Sequence, residues 1–463
     1  MRYVSTRGEA PELDFGGVLL TGLARDGGLY VPAEWPKFSS AELASLRGRP
    51  YADIAFAVIA KFTGNEVAPT DLKKMIADAY RGFGHPAVTP LKQLNADQWL
   101  LELFHGPTLA FKDVAMQFLA RVMDWALARR SMRAVIVGAT SGDTGGAAIE
   151  AFKASRHASI FILHPQGLVS EVQRRQMTTV LSPSVHNIAI RGTFDDCQAI
   201  LKALFNDHGF RDGVSLAGVN SINWARIMAQ IVYYVAASLA LAASGRDVNF
   251  TVPTGNFGDI FAGLVAKRMG APIGRLVIAT NENDILDRAL RTGRYEVRGV
   301  KPSTSPSMDI QVSSNFERLL FEAHGRDAAS VRRLMASLGQ SGAFTIEAGP
   351  LAAIRAEFTS GTCDMTETAK VIARTLAETG ELLDPHTAVG YGMALKERDY
   401  SGPMVTLATA HPAKFPDAVE KASGKRPDLP PSLAPLMMAE ERVSVLANDP
   451  EAVKAFILER VKS

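Results

Sequence analysis

One lysine of the chain, Lys112, stands in a setting that is typical of a reactive amine. It follows Phe111 at the predicted start of a helix that is rich in apolar residues. Lysine side chains are usually exposed, so a solvated surface lysine is the ordinary alternative. Burial at the head of an apolar helix would disfavour the charged form and lower the pKa of the amine. A lysine changed in this way can form a Schiff base with an aldehyde.

Two glycine-rich segments could bind anions. The first, residues 137–146 with the sequence VGATSGDTGG, follows a predicted strand and leads into a helix predicted to begin near Gly145 or Ala147. Glycines let backbone N–H groups approach a ligand, and a helix N-terminus favours negative charge. The segment therefore suits a carboxylate or a phosphate, and a tight turn without a ligand is the alternative. It is neither a dinucleotide-binding G-x-G-x-x-G sequence nor a Walker A loop, since no G-K-[ST] follows.

The second segment, residues 252–260 with the sequence VPTGNFGDI, also lies between a predicted strand and a predicted helix. Converging N–H groups would suit a phosphate monoester, and a turn with a helix cap explains the pattern equally well. A phosphate site together with a Schiff-base lysine is the combination that pyridoxal phosphate requires. The sequence therefore predicts pyridoxal 5′-phosphate as cofactor, with Lys112 as its covalent partner.

Composition limits the class of protein that could hold these residues. The chain has 463 residues, 47% of them hydrophobic, which is enough for two or three domains with buried cores. Its net charge is only +2, from 50 basic and 48 acidic side chains, so we expect neither nucleic acid nor a membrane as partner. Cys197 and Cys363 are too far apart for a redox or zinc motif, and we expect both to be reduced and no metal to be bound. The apolar stretch Ile231–Ala243 is too short to cross a bilayer, and Met1–Glu9 is no secretory signal, so we expect a soluble cytoplasmic protein.

Short apolar runs alternate with helix-length amphipathic segments after residue 98. Runs of this length between helices predict parallel strands that are buried on both faces, in an α/β layered architecture. Helices are predicted to begin at Ser170, Phe194 and Ile222, with Ser170 and Gln173 forming a capping box. Residues 302–307 and 384–386 are predicted to be loops. The predicted strands are Trp99–Phe104, Ala134–Val137, Ile160–Leu163, Asn187–Ile190, Val248–Val252, Leu276–Ala279 and Val405–Ala408.

Several of these segments resemble the threonine synthase family. The lysine segment FHGPTLAFKDVAMQFL is similar to the cofactor-lysine segment of that family, and ATSGDTGGAA, SINWARIMAQIVYY, VPTGNFGDI and ATAHPAKF follow in the family's order. The N-terminal YVSTRGEAPELDFGGVLLTGLARDGGLYVP resembles a segment peculiar to the family. The resemblance implies two open parallel-sheet α/β domains of the tryptophan synthase β-like fold with an added N-terminal region. We divide the chain into an N-terminal region, 1–95, an α/β domain with the cofactor lysine and the substrate-carboxylate loop, 96–220, and an α/β domain with the cofactor-phosphate loop, 221–463.

The resemblance also implies roles for particular residues. Lys112 matches the cofactor lysine, and Thr409 matches a hydroxyl residue near the pyridine nitrogen. Many relatives have Asn where Asp143 stands, and there it contacts the ring 3′-oxygen. With Asp143 two negative oxygens would face each other unless a proton is shared, so its protonation state stays open. The matching cofactor-phosphate loop consists of Gly255, Asn256, Phe257, Gly258 and Asp259.

The substrate that the resemblance implies is O-phospho-L-homoserine, converted with water to L-threonine and phosphate. Its phosphate would be held by Arg226, with Ser221 and Asn223 as further donors, and a helix-surface salt bridge is the ordinary alternative for Arg226. Leu168 stands where relatives have a basic residue, so no phosphate role is given to it. The residues that match the substrate-carboxylate loop are Thr140, Ser141, Gly142, Asp143 and Thr144.

Other interpretations of the same residues stay open. A serine or threonine dehydratase-like lyase, or a cysteine synthase, would share the lysine and the glycine loops. A phosphotransferase that binds ATP with the glycine loops is a second alternative, and the absence of G-K-[ST] from this chain argues against it. A catalytically silent, ligand-binding relative is a third alternative, and the presence of Lys112 argues against it. His105, His411 and Lys414 lie in matching motifs, but a structural hydrogen bond explains each as well as catalysis does. The sequence leaves the oligomeric state open, and enzymes of the type that it resembles are often monomeric.

Overall fold

Strands and helices alternate along most of the chain in this computed structural model, which describes residues 1–242, 245–397 and 400–461. The strands are β1 (Tyr3–Ser5), β2 (Tyr30–Pro32), β3 (Leu91–Gln93), β4 (Gln98–Glu102), β5 (Ala134–Ala139), β6 (Ala158–Pro165), β7 (Val185–Ile190), β8 (Leu216–Ala217), β9 (Val248–Pro253), β10 (Ile273–Thr280), β11 (Arg294–Glu296), β12 (Ala343–Thr345), β13 (Phe358–Thr362), β14 (Met404–Ala408) and β15 (Ser444–Leu446).

The helices surround and connect these strands. They are α1 (Phe15–Thr21), α2 (Ser40–Leu46), α3 (Tyr51–Thr63), α4 (Pro69–Tyr80), α5 (Lys112–Arg129), α6 (Asp143–Phe152), α7 (Glu171–Thr178), α8 (Phe194–Asn206), α9 (His208–Gly213), α10 (Trp224–Leu241), α11 (Gly258–Arg268), α12 (Ile285–Thr292), α13 (Phe316–Ala323), α14 (Ala328–Ser341), α15 (Ala348–Glu357), α16 (Met365–Thr379), α17 (Pro385–Lys396), α18 (Pro416–Ser423) and α19 (Pro450–Val461).

Two largely parallel sheets carry the architecture. One has six strands in the order β13-β10-β9-β14-β4-β3, with only β3 antiparallel to its neighbour, and the other has five parallel strands in the order β15-β7-β6-β5-β8. Every strand predicted from an apolar run is present and pairs in parallel, because helices cover both faces of each sheet and both faces must be apolar. The predicted α/β class is therefore confirmed.

Sheet membership differs from the predicted division at residues 96 and 221. Strand β4 begins the predicted middle domain, yet it pairs with β14 in the six-stranded sheet. Strand β15, near the C-terminus, pairs with β7 in the five-stranded sheet. Hydrogen bonds between strands far apart in the chain decide these memberships, and hydrophobic periodicity carries no information about them.

The N-terminal region packs against helix α10 through an aromatic cluster. The Trp224 indole, fully buried, lies 6.1 Å from the Tyr3 ring, 5.9 Å from Trp35 and 5.6 Å from Phe62, between ring centroids. Tilted and edge-on aromatic pairs of this kind add about 0.5–1.5 kcal/mol each to the gain from burial. The first turn of α10 is thereby fixed against residues from the beginning of the chain.

Helix α10 is the one described helix that is long and apolar enough to cross a membrane, and 83% of it is buried inside the molecule. It contains residues 231–241 of the predicted apolar stretch, Ala242 caps its end, and the last residue of the stretch, Ala243, lies outside the described residues. The prediction of a long buried helix is confirmed. The helix begins at Trp224 rather than Ile222, because the side chain of Asn223 accepts from the N–H of Ala225 and caps it.

Candidate active site

The amine of Lys112 is buried at the first residue of α5, with 7% of the residue exposed. Its Nζ lies 3.4 Å from Oδ2 of Asp143, 3.4 Å from Oγ of Ser307 and 4.8 Å from the centre of the Phe111 ring. Burial lowers the pKa of Lys112, and the nearby charges of Lys414 and Arg226 lower it further against the opposing effect of Asp143. The structure therefore agrees with the prediction that Lys112 is buried and that its pKa is lowered.

The loop before Lys112 is held by Asp113. Its carboxylate accepts from the N–H of Thr108 at 2.7 Å and from the Thr108 hydroxyl at 2.7 Å, and burial raises the pKa of Asp113 to about 6. A Cβ on Gly106 would come within 2.4 Å of the Asp113 side chain, so this close turn requires glycine. These contacts fix the backbone that carries the lysine.

Strands β4 and β14 end side by side, and the segments that follow them meet. The N–H of Phe111 donates to the carbonyl of Thr409 at 2.8 Å, and the N–H of His411 donates to the carbonyl of Leu109 at 3.0 Å. Thr409 is buried beside the lysine segment, with 5% of the residue exposed. The C-terminal ends of parallel strands are where ligands bind in open α/β sheets, so the position of Lys112 and Thr409 suits a bound cofactor.

The carboxylate of Asp143 lies between two lysines. Its Oδ1 is 2.8 Å from Nζ of Lys414 and accepts from Nε2 of Gln173 at 2.9 Å, while Oδ2 faces Lys112. Burial opposes ionisation, but the ammonium of Lys414 and the charge of Lys112 together hold the pKa of Asp143 well below its ordinary value. These two lysines therefore favour the ionised form of Asp143.

Lys414 and Gln173 are residues of the site whose roles the sequence did not assign. Lys414 was given no role, although its side chain is fully buried against Asp143. Gln173 was predicted to complete a capping box, but only half of that box exists: Ser170 accepts from the N–H of Gln173, whereas the Gln173 amide donates to Asp143. A glutamine that completes a capping box and one that bonds a carboxylate of the site look alike in sequence. Only the fold shows that Asp143 is within reach of Gln173.

The loop that contains residues 140–144 leads directly into α6, which begins at Asp143 and not at the predicted Gly145 or Ala147. The Thr140 hydroxyl accepts from the N–H groups of Gly142 and Gly145, each at 2.9 Å, and so supports the turn. A Cβ on Gly142, whose φ is 141°, would lie 2.5 Å from Gln173. Among the described residues, no acceptor binds the N–H groups of Ser141, Asp143 and Thr144, which are therefore available for an anion.

The loop after β9 forms a second set of open N–H groups. In the part of the chain that the structure describes, Gly255, Asn256, Phe257 and Gly258 have no acceptor for their backbone N–H groups. Phe257 has a φ of 63° and precedes the first residue of α11, so successive N–H groups curve toward one point. This is the geometry of a phosphate cradle at a helix N-terminus.

The side chain of Asp259 does not belong to that cradle. Its Oδ1 accepts from the hydroxyls of Tyr233 at 2.5 Å and Tyr234 at 3.0 Å, and burial raises the pKa of Asp259 to about 6. A carboxylate would also repel a phosphate. The predicted contribution of Asp259 to the cofactor-phosphate loop is thus limited to its backbone, a correction with an electrostatic reason.

Arg226 lies on α10 with its guanidinium buried and incompletely bonded. Its Nη1 donates to the carbonyl of Val219 at 3.3 Å, and its Nε is a buried donor that has no partner among the described residues. Burial lowers the pKa of Arg226 to about 10, which leaves the group charged at neutral pH. A buried cation with an unused N–H is suited to an anionic ligand, and the surface salt bridge that was the alternative is absent from the described contacts.

Asn223 has a structural role besides the one that the sequence predicts. Its amide donates to the carbonyl of Leu19 at 2.9 Å while its oxygen caps α10, so the side chain ties the N-terminal region to the helix. Ser221 contributes its carbonyl, which accepts from the Asn315 amide at 3.2 Å. One N–H of the Asn223 amide and its oxygen are thus used within the fold, whereas the Ser221 hydroxyl has no partner among the described residues.

A histidine that the sequence placed in a loop also reaches the site. His386, in the first turn of α17, has its Nδ1 2.9 Å from a carboxylate oxygen of Asp384. Its Nε2 accepts from the N–H of Ser307, whose hydroxyl lies 3.4 Å from both Lys112 and Asp143. The predicted loops 302–307 and 384–386 therefore meet at the amine, and their separation in sequence concealed this.

Comparison with known proteins identifies matching families along the chain. The family model "Threonine synthase N terminus" matches residues 2–80, "Pyridoxal-phosphate dependent enzyme" matches residues 83–336, and "Threonine synthase, C-terminal" matches residues 387–457. The chain is 55% identical to threonine synthase of Pseudomonas aeruginosa, over 99% of this chain and 98% of that protein.

Solved structures are similar over the whole length. The crystal structure of threonine synthase from Brucella melitensis with bound pyridoxal phosphate has a TM-score of 0.98 and 59% sequence identity, and the alignment covers 100% of both chains. Threonine synthase from yeast gives a TM-score of 0.94 at 39% identity, covering 100% of this chain and 99% of that one.

Proposed function

The chain belongs to the threonine synthase family of pyridoxal-phosphate-dependent enzymes, and on this basis we propose that it converts O-phospho-L-homoserine and water to L-threonine and phosphate. The observation that carries the proposal is the buried Lys112 amine of lowered pKa, with two sets of open N–H groups and an incompletely bonded Arg226 around it. Lys112 matches the cofactor aldehyde, and one set of N–H groups matches the cofactor phosphate. The other set matches the substrate carboxylate, and Arg226 matches the substrate phosphate.

Pyridoxal phosphate, when bound, supplies an aldehyde and a ring that delocalises negative charge from the substrate's carbon. Lys112 would be joined to the aldehyde carbon. The N–H groups of Gly255, Asn256, Phe257, Gly258 and Asp259 would hold the cofactor phosphate, and Thr409 would face the pyridine nitrogen. A neutral hydroxyl in that place would not favour a proton on the ring nitrogen.

The substrate would bind by both of its ends. Its carboxylate would accept from the open N–H groups of residues 140–144, where the start of α6 adds a favourable dipole. Its phosphate would bind Arg226, with the Ser221 hydroxyl as a further donor, and the same guanidinium would hold the phosphate after it leaves. We keep Asn223 only as the residue that fixes this segment.

Lys112 would also move protons. As a free and uncharged amine, Lys112 would be the base that accepts the substrate's α-proton. Ser307 and Asp143 lie 3.4 Å from Nζ and would orient it. Its lowered pKa keeps a larger fraction of the amine in the basic form at neutral pH.

The direct test is to add O-phospho-L-homoserine to the purified holoenzyme and to measure threonine and phosphate together. Equal amounts of both are expected, with none from Lys112→Ala and undiminished amounts from Lys425→Ala, which removes an exposed lysine. A dehydratase-like lyase would instead release ammonia and a keto acid from threonine or serine. That outcome, or full turnover by Lys112→Ala, contradicts the proposal.

We infer further that the enzyme is a monomer in the cytoplasm. The type of enzyme that the sequence resembles is often monomeric, and Cys197 and Cys363 are both buried and unpaired, as in a reducing compartment. Light scattering during gel filtration should give a mass near 49.8 kDa. A mass of twice that value contradicts the monomer.

A further inference from the structure

Two buried lysines share the single carboxylate of Asp143, and they share it unequally. Lys414 Nζ lies 2.8 Å from Oδ1, whereas Lys112 Nζ lies 3.4 Å from Oδ2. Because attraction and hydrogen-bond strength both fall with distance, the carboxylate is paired more strongly with Lys414 than with Lys112.

The remaining contacts of Lys414 suit its ammonium form. Besides Asp143, its Nζ donates to the carbonyl of Thr108 at 2.7 Å and to Oε1 of Gln176 at 3.2 Å, while Gln176 donates its own amide to Thr108 at 3.0 Å. Three acceptors thus surround the three N–H groups of an ammonium, and none of the Lys414 side chain is exposed. A neutral amine would leave one of these acceptors without a donor.

Charge balance then separates the two lysines. One carboxylate and one fully bonded ammonium are neutral together, so Lys414 offsets part of the attraction that Asp143 exerts on a proton of Lys112. Among the described residues, the hydrogen-bond partners of the Lys112 amine are both distant, at 3.4 Å to Asp143 and to Ser307. An amine must be uncharged both to attack an aldehyde and to accept a proton.

We propose that Lys414 is a positioning residue of the reaction: it neutralises Asp143 and thereby leaves Lys112 free to act as an uncharged amine. The proposal rests on the proposed role of Lys112 and assigns a function to a lysine outside the cofactor and phosphate contacts. The lowered pKa of Lys112 agrees with it, since burial and the Lys414 charge both act in that direction.

A purely structural Lys414 would make a different prediction. It would bridge Thr108, Gln176 and Asp143, and its loss would loosen the site without a particular electrostatic sign. The proposed role predicts that replacing Lys414 and replacing Asp143 shift the pKa of Lys112 in opposite directions. Lys414→Met leaves Asp143 to pair with Lys112, which raises the pKa of Lys112. Asp143→Asn leaves the Lys414 charge alone beside Lys112, which lowers it.

The experiment measures the pH dependence of the rate at which pyridoxal phosphate adds to Lys112 in the cofactor-free protein. Addition is followed by absorbance, and borohydride reduction with peptide mass spectrometry locates the adduct. Relative to wild type, the midpoint should rise by about one pH unit or more in Lys414→Met and fall by a similar amount in Asp143→Asn. In the double variant Asp143→Asn/Lys414→Met it should return close to the wild-type value. Lys421→Met, which removes an exposed lysine of α18, should change nothing.

Midpoints that shift in the same direction in both single variants, or that do not shift, overturn the proposal. If Lys414→Met does not fold, Asp143→Asn is compared with the double variant, and the double variant must have the higher midpoint. The assay contains no phosphohomoserine. If the midpoints shift as expected but the separate phosphohomoserine assay yields no threonine, only the proposed function is rejected. An adduct at another lysine rejects both the proposed function and the role of Lys414.

Discussion

Ser307 donates its backbone N–H to Nε2 of His386 across 3.3 Å, and the other ring nitrogen of His386 lies 2.9 Å from Asp384. The carboxylate of Asp384 requires a proton on Nδ1, which leaves Nε2 as the acceptor. Asp384 also accepts from the hydroxyl of Thr387. One ring nitrogen of His386 is thus fixed by Asp384, and the other accepts from the N–H of Ser307. The short helix Pro306–Met308 is fixed over Lys112 in this way.

Replacement of His386 should separate these two contacts. Gln can offer an acceptor near the position of Nε2, whereas Asn can donate to Asp384 but cannot reach Ser307. We expect His386→Asn to lose about 2–10-fold in kcat/KM, the equivalent of one neutral hydrogen bond, and His386→Gln to lose less. Steady-state kinetics with phosphohomoserine would check the order. Equal losses in the two variants would show that the bond to Ser307 has no part in the reaction.

Replacement of Arg226 should weaken binding of the phosphorylated substrate. A hydrogen bond to a charged group contributes about 1.5–3 kcal/mol, so Arg226→Met should lower kcat/KM by about 10–100-fold or more. Arg226→Lys keeps the charge but loses the two-pronged geometry, and its loss should be intermediate. The inhibition constant of inorganic phosphate should rise in parallel. An unchanged constant for phosphate in Arg226→Met would remove this residue from the phosphate site.

Asp259 should make stability depend on pH. In the unfolded chain its carboxyl titrates near 3.8, and in the folded protein near 6, because burial penalises the charge. Between these values the folded state binds the extra proton, so this group's contribution to stability decreases as pH rises and is fully unfavourable above about 6. Asp259→Asn keeps an acceptor for Tyr233 and Tyr234 without the charge. Its Tm should exceed that of wild type at pH 8, and the difference should shrink toward pH 4.

Thermal unfolding at fixed cofactor concentration would measure this difference. Asp196→Asn is a suitable control, because Asp196 is a surface helix-capping residue whose hydrogen bonds to Thr193 lower its pKa. For Asp196→Asn the Tm difference from wild type should be of opposite sign, so its Tm should be lower than that of wild type at pH 8. A constant difference between Asp259→Asn and wild type from pH 4 to pH 8 would contradict the raised pKa.

Asn223→Ala should affect folding more than binding. The substitution removes the cap of α10 and the bond to Leu19, at a cost of about 1–3 kcal/mol for the cap and the unsatisfied carbonyl. We expect a lower Tm and a KM for phosphohomoserine that changes less than in Arg226→Met. Asp14→Ala, which removes the cap of α1, is the matched control for loss of a cap. A KM effect as large as that of Arg226→Met would restore Asn223 to the phosphate site.

The sequence predicted those features that are recorded locally. Buried parallel strands appear as apolar runs, and the burial of Lys112 follows from the apolar helix that it begins. Strands β8, β13 and β15 escaped notice because they are short or half exposed. The roles of Lys414, Gln173 and His386 were not predicted because each comes from a different part of the chain to contact Asp143 or Ser307 beside the amine. Contacts of that kind depend on how the sheets assemble, and neither composition nor spacing encodes them.

The pairing of β4 with β14 has a consequence for how the protein is made. The strand that leads to Lys112 leaves the ribosome early, but its neighbour lies near the C-terminus and emerges only when synthesis is almost complete. Until then β4 has an open edge that can pair with other extended chains. Nascent molecules of this enzyme should therefore depend on chaperones for most of translation, and ribosome stalling before residue 404 should leave them prone to aggregation.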